Sequence, residues 1–167
     1  MRAESVNQVL PGLKHAGIDF VASLPSQGIA PLIASIAEDG AFTHVPVAHE
    51  GDAVGICAGA YLVGRKPAVL MQNCGLMTAA YALLDTLYWF GGFPILLVMD
   101  HRGSFGDVGG FIFHGYGIQV PRLLESFEIP YRLVEDPATV TREIVRGART
   151  AAASGRPAAV LLSGEPA

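Results

Sequence analysis

Short, almost uninterrupted aliphatic runs recur along this chain, each followed by a longer stretch of helical character. Ala68 to Gln72, Pro94 to Met99 and Ala158 to Leu162 carry hardly any polar residue, whereas a strand with one wet face would alternate apolar and polar side chains. Such runs belong to strands covered on both faces. Their alternation with helices is the signature of βα units around a parallel sheet. The spacing predicts strands at Asp19 to Leu24, Thr43 to Val47, Ala68 to Gln72, Pro94 to Met99, Tyr131 to Val134 and Ala158 to Leu162. Helices are expected at Glu4 to Ala16, Gly28 to Glu38, Gly51 to Val63, Met77 to Phe90, Pro121 to Phe127 and Pro137 to Ser154. Gly17 and Gly40 fit helix stops, and Asp136 before Pro137 fits an N-cap followed by proline at the first helical position. The fold class is therefore α/β, and a length of 167 residues suits one domain, 1–167, with a single core.

Composition narrows the function classes. Hydrophobic residues make up 51%, charged residues 16%, and mean hydropathy is +0.40, which excludes general disorder. So few ionic groups leave apolar surface for a partner to cover, and an oligomer is expected. A net charge of −4 lacks the basic excess that binding a phosphate backbone requires, so no nucleic-acid partner is expected. Cys57 and Cys74 lie in apolar runs, as small buried hydrophobes do, and their spacing suggests neither a disulfide framework nor a metal site. Glu4, Asn7 and Gln8 interrupt the N-terminus where a signal sequence would be apolar, which points to the cytoplasm. Gln72, Asn73 and Gly75 break the uncharged stretch Pro67 to Leu84, so it reads as strand, turn and helix with no membrane span. Arg102 to Gly117, with six glycines among scattered aromatics, reads as a long functional loop.

Ligands of open parallel sheets bind beyond the carboxyl ends of the strands. Four segments fall there: Pro25 to Gly28, Ala48 to Gly51, Asn73 to Leu76, and the loop from Asp100 to Gly117. In the second, Glu50 and Asp52 open a helix of almost wholly small or apolar residues, expected to be buried on most sides. Two readings compete for these acids: first-turn complements to the helix dipole, or a carboxyl group in an apolar setting suited to exchanging a proton. His49-Glu50 has no second histidine at zincin spacing, and Walker, Gly-x-Gly-x-x-Gly and Gly-x-Ser-x-Gly patterns are absent from their required contexts.

The run Val47-Ala48-His49-Glu50-Gly51-Asp52-Ala53-Val54-Gly55-Ile56-Cys57-Ala58-Gly59-Ala60-Tyr61, followed by Met71-Gln72-Asn73-Cys74-Gly75-Leu76, resembles the pyrimidine-binding domain of thiamine diphosphate enzymes. Within them it is most similar to the sulfopyruvate decarboxylase alpha-subunit and phosphonopyruvate decarboxylase families. Phe20 to Pro25, Asp100-His101-Arg102-Gly103 and Pro121 to Pro130 extend the match in the same order over nearly the whole chain. The resemblance implies a three-layer α/β/α domain with a six-stranded parallel sheet, paired with a diphosphate-binding domain that encloses thiamine diphosphate. It assigns to Glu50 the family's hydrogen bond to N1′ of the aminopyrimidine, which promotes loss of the thiazolium C2 proton. Asn73, Gly75 and Leu76 fall at cofactor-contacting positions. His114 and Gln27 are candidate donors of the proton that completes the product. Ser26, Gln27, Asn73, Arg102 and His114 are candidate substrate contacts, with a neutral Ser26-Gln27 pair sparing a doubly charged substrate from repulsion and Arg102 suited to a sulfonate or phosphonate.

Two departures stand out. Relatives carry Gly-Asn after the match to Gly75-Leu76, where this chain has Met77-Thr78. The magnesium and diphosphate motif, Gly-Asp-Gly with a later Asn, is also absent, since Asp52 and Asp107 precede Ala53 and Val108. A beta subunit is expected to supply the Mg2+ and diphosphate contacts, in a hetero-oligomer acting on a small 2-oxo acid, with no metal ligands on this chain. A noncatalytic pyrimidine-domain partner and a flavodoxin-like binding domain remain as alternatives.

Overall fold

A computed structural model of the chain describes residues 3–86, 91–103, 107 and 110–163. In chain order the elements are α1 (Ala3–Ala16), β1 (Phe20–Ser23), α2 (Ala30–Glu38), β2 (Thr43–Pro46), α3 (Glu50–Leu62), β3 (Pro67–Gln72), α4 (Gly75–Leu84), β4 (Leu96–His101), α5 (Gly110–Ser126), β5 (Tyr131–Val134), α6 (Val140–Ser154) and β6 (Ala158–Ser163). The six strands form one sheet in the order β2-β1-β3-β4-β6-β5. Every pairing is parallel, with Ser23 opposite Leu70 and Gln72 opposite Asp100 at the ends that matter for the site. The chain leaves β1 toward β2 and then crosses back to β3 on the other side. The crevice beyond the ends of β1 and β3 is therefore the topological switch point, where such sheets bind ligands.

The continuous apolar strands are explained by the two faces they serve. Phe20, Val69, Met71, Leu97, Met99 and Leu161 point to one side, where Val54 and Cys57 of α3, Leu76 and Leu83 of α4, and Val120 and Leu124 of α5 cover them. Val21, Leu70, Leu96, Val98, Val160 and Leu162 point to the other, against Leu13 of α1, Leu32 and Ile36 of α2, and Ile144 of α6. The core is thus divided by the sheet, three helices to a face.

Several boundaries differ from the sequence reading. β4 continues through Asp100 and His101, placed in a loop above, and both are buried. α4 ends at Leu84; the last part of the helix expected to Phe90, residues 87–90, lies outside the described residues. The long loop after β4 is shorter than expected, because Gly110 to Ser126 is a single helix containing Pro121. Gly17 does close α1 in the left-handed conformation, at φ 73°, but α2 ends at an extended Asp39 whose carboxylate accepts the Ala41 N–H, so Gly40 is not its stop. Asp136 accepts the Ala138 N–H at 2.9 Å, capping a 3-10 turn at Pro137–Thr139 that leads into α6. α3 is not buried on most sides: Ala53, Val54 and Cys57 are, while Gly55, Ile56 and Gly59 form an open face.

Candidate active site

Glu50 is the first residue of α3. His49 precedes it as N-cap, its Nδ1 accepting the Gly51 N–H at 3.0 Å, so the helix begins where the carboxylate is closest to its positive end. The side chain is buried, and the reason lies in a second helix. The Glu50 carboxyl lies across Gly75, where a Cβ would come within 2.5 Å of Oε1 and 2.8 Å of Cδ. Only glycine leaves room for it. One turn further along the same face of α4, the Thr78 hydroxyl donates to Glu50 Oε2 at 2.5 Å. Cys74 stands on the turn before α4, its thiol pushed up from its ordinary range by burial and, secondarily, by the Glu50 charge. It is half-buried and donates to Gln72 Oε1, whereas Cys57 is the enclosed hydrophobe expected, its thiol pushed up to about 12 by burial.

Asn73, at the end of β3, is fully buried. Its Nδ2 donates to the Arg102 carbonyl at 2.8 Å and lies 3.2 Å from His101 Nδ1, while its Oδ1 is buried without a hydrogen-bond partner. Burial holds the His101 imidazole below its ordinary range, against the smaller opposing pull of Asp100 and Asp107. A neutral ring with Nδ1 as acceptor suits the Asn73 contact. Arg102 is committed differently from the sequence reading: Nε and Nη2 pair with the Asp107 carboxylate at 3.0 and 3.3 Å, and the guanidinium lies over Phe113, 4.5 Å from the ring centroid. Asp107 raises the Arg102 pKa further.

After β1, the Ser26 carbonyl accepts the Ile29 and Ala30 N–H groups, turning the chain into α2, and Ser26 Oγ is buried without a hydrogen-bond partner. Gln27 is exposed beside it. Gly28 packs on the buried Asp100 carboxylate, which a Cβ at that position would overlap. Leu76 is fully buried in the core beneath α3 and α4, and its N–H is taken by the Asn73 carbonyl, so it props the turn from below and has no polar group to offer there. His114 is exposed on α5, one residue beyond the Phe113 that stacks on Arg102. Glu50 and Gly75 are thus in contact, Asn73 adjoins Arg102, and Ser26, Gln27 and His114 stand on the surrounding segments. Sequence reasoning missed Thr78 as a partner of Glu50, and Asp100 and His101 as buried supports. The signal for Thr78 was its place one helical turn after Gly75.

The open side of this constellation is shallow. A groove of about 530 Å³ runs along Pro46, Val47, Gly51, Asp52, Gly55 and Ile56, beside the start of α3. A larger groove, about 1080 Å³, lies at the opposite ends of β5 and β6 and is lined by Arg132, Arg146, Arg149 and Arg156, away from these residues. No helix among the described residues is long and apolar enough to cross a membrane.

Comparison with known proteins identifies the family. Residues 5–99 match the family described as thiamine pyrophosphate enzyme, N-terminal TPP binding domain. The sulfopyruvate decarboxylase subunit alpha of Methanothermobacter thermautotrophicus is 34% identical over 150 residues, covering 86% of each chain. A sulfopyruvate decarboxylase of Methanosarcina acetivorans is 32% identical over 76% of this chain, but only 32% of that protein is matched. A 2-oxoglutarate:ferredoxin oxidoreductase from Magnetococcus marinus superposes with a TM-score of 0.65 over 98% of this chain and 29% of its own, at 19% identity, a likeness of fold. With the family model spanning more than half of its residues and Glu50 at the start of α3, the chain belongs to the thiamine pyrophosphate enzymes, as a TPP-binding N-terminal domain of the sulfopyruvate decarboxylase alpha-subunit kind.

Proposed function

We propose that this chain is the alpha subunit of a thiamine diphosphate-dependent 2-oxo acid decarboxylase, acting on sulfopyruvate to give sulfoacetaldehyde and CO2 together with a separate beta subunit. The observation that carries the reading is Glu50: a buried carboxyl at a helix start, seated on a glycine, at the switch point where sheets of this topology bind ligands. The residues present fit the aminopyrimidine ring. Glu50 supplies a carboxyl oxygen that can hold or return a proton at a ring nitrogen, and the unpartnered Oδ1 of Asn73 supplies a buried acceptor for an amino group. The cofactor, when bound, provides the electron sink for the C–C bond broken as CO2 leaves. What remains for the protein is to exclude water, to keep Glu50 in reach of its proton, and to deliver one proton to the carbon that has lost CO2.

Gln27 and His114 are our candidates for that delivery, as polar groups on segments flanking the crevice. Ser26 and Gln27, both neutral, allow a dianionic substrate to approach. Arg102 offers the sulfonate its Nη1 edge, since its two bonds to Asp107 use Nε and Nη2. Asp107 thereby orients the guanidinium rather than consuming it.

The diphosphate and Mg2+ belong, in this proposal, to the beta subunit. Two observations support a second chain: the Gly-Asp-Gly pattern is absent here, and the Methanosarcina relative, whose name carries no subunit, is about three times the matched length. The test is co-expression with the neighbouring reading frame, followed by a CO2-release assay over a panel of 2-oxo acids with thiamine diphosphate and Mg2+. Release from sulfopyruvate by the pair, and by neither chain alone, is expected. A stable pair that decarboxylates none of the acids refutes the proposal; phosphonopyruvate as the preferred acid corrects its substrate.

A further inference from the structure

Thr78 has one hydroxyl hydrogen and two acceptors. Its Oγ1 is 2.5 Å from Glu50 Oε2 and 2.9 Å from the Gly75 carbonyl oxygen, one turn back in its own helix. A threonine in a helix bonds an i−3 carbonyl readily, so the Gly75 carbonyl is the alternative acceptor whenever Glu50 Oε2 does not take the hydrogen. Gly75 is the floor of the carboxyl's seat and Thr78 its wall.

We propose that Thr78 is a positioning residue for Glu50, whose single hydroxyl hydrogen changes acceptor as the carboxyl gains or loses its proton. With Glu50 ionised, the hydroxyl donates to Oε2. With Glu50 protonated, the carboxylic acid donates to Thr78 Oγ1, and the hydroxyl hydrogen turns to the Gly75 carbonyl. The proton that Glu50 gains or loses is exchanged outside the pair; within it the hydroxyl only turns, so Oε2 is hydrogen-bonded in both states and no heavy atom has to move. A group that must alternate between two protonation states is thus spared an unmade bond at Oε2 in either.

This inference rests on the reading of Glu50 as the proton-exchanging group, but it concerns Thr78, to which no other assignment above gives a role. It also gives a purpose to the Met77-Thr78 departure. The titratable groups around the carboxyl are His49 and Asp52 on its own helix and Cys74 on the turn before α4. None of them stands in for a hydroxyl donor at 2.5 Å.

The test is carboxyl 13C NMR of the full chain labelled at glutamate, with Glu50→Gln identifying the resonance. Thr78 bonds the carboxyl in both of its states, so the Glu50 signal of Thr78→Val is displaced from the parent's at the acid and at the alkaline end of the pH range alike. Thr78→Ala, a good helix former, gives the same displacement and carries the experiment if the valine variant does not fold. Thr78→Ser, which keeps the hydroxyl, matches the parent chain at both ends. The inference is overturned if valine and alanine match the parent at either end, or if serine is displaced with them. In the two-subunit complex, Thr78→Val lowers kcat about tenfold with KM little changed, and serine restores it. Full turnover by Glu50→Gln would instead refute the catalytic reading of Glu50, an outcome separable from an unmoved carboxyl signal.

Discussion

The role proposed for Glu50 depends on what surrounds it, so the sharpest substitutions are those that alter one atom of the arrangement. Glu50→Gln keeps the shape and removes the exchangeable proton; we expect the complex to assemble and turnover to fall by about 100-fold or more, the usual worth of a positioned acid or base. Gly75→Ala tests the seat itself. Its Cβ would press on Oε1 at 2.5 Å, and a carboxyl displaced by about 1 Å forfeits on the order of 100-fold, measurable as kcat in a variant whose thermal unfolding is otherwise close to normal. The buried imidazole of His101 and the half-buried one of His44 give a pH signature of a different kind. Burial holds His101 and His44 below the ordinary histidine range, so each stays neutral in the fold where the unfolded chain, titrating near ~6.5, takes up a proton. The unfolded state then binds more protons, and stability falls as pH drops through about 6.5 toward the lower folded values. Denaturant titrations at fixed pH should show a plateau above pH ~7 and a decline below it, no steeper than about 1.4 kcal/mol per pH unit for each histidine, that flattens in His101→Asn. Asp39 and Glu143, held low by Lys14 and by Arg142 and Arg146, lose their contributions only in more acid solution. At this scale the sequence exposes Glu50, because an acid that opens an apolar helix after a strand is conspicuous. It hides Thr78, since a helical threonine is ordinary until α3 packs on α4 and brings together residues 28 positions apart.

Among the elements, the six strands and the two-sided sheet are legible because each strand feeds both faces of the core and so reads as an unbroken apolar run. The start of α5 is the instructive failure. From Val120 onward the helix shows its period through Val120, Leu124 and Phe127, all buried, but Phe111 and Ile112 at its start are 94% and 64% exposed, so no apolar stripe betrays the first turns. Glycines 115 and 117 and Pro121 disguise them further, since proline clashes with the carbonyl four residues back. That carbonyl belongs to Gly117, which is itself packed backbone to backbone against Gly103 after β4. Gly103 has φ 85°, and a side chain there would overlap the Phe113 carbonyl, just as one at Gly117 would overlap the Gly103 carbonyl. The beginning of α5 is therefore held by a tertiary contact between two glycines that no local pattern encodes. Gly117→Ala should part the two backbones and lower stability by about 1–3 kcal/mol, the range for overpacking a tight contact. It should also free the Arg102–Asp107 pair, for which Gly103 N–H is a third partner, and so raise KM for an anionic substrate more than it lowers kcat. Equal effects on a 2-oxo acid whose only charge is its carboxylate would argue against Arg102 as the sulfonate contact.

For the molecule as a whole, the excess of apolar composition has a location. The accessible surface of 7789 Å² is close to the roughly 7,900 Å² expected of a compact folded monomer of 17.5 kDa, so the chain closes its own core and the surplus is on the outside. Ile56 and Leu62 on α3 are 38% and 71% exposed, and Met77 and Tyr81 on α4 are 39% and 77% exposed. Thr78, bonded to Glu50, belongs to the same face of α4 as Tyr81, and the groove along Gly55 and Ile56 lies on α3. A surface laid over these side chains would bury apolar area and, in the same movement, remove the Glu50 carboxyl from water. Assembly and completion of the site are on this view one event, which is why an isolated chain with every proposed pyrimidine contact in place is expected to be inactive. Met77→Glu combined with Tyr81→Glu separates the two roles of the face. Both side chains point to solvent, so the unfolding midpoint of the isolated chain should move by no more than about 0.5 kcal/mol in equivalent stability. Two buried carboxylates at the centre of an interface should cost upward of 2 kcal/mol in association, or at least about thirtyfold in affinity. Co-purification with the beta subunit and CO2 release should then be lost together; a double variant that still co-purifies and turns over would place the partner on another face, with the exposed α5 residues Phe111 and Ile112 the next surface to charge.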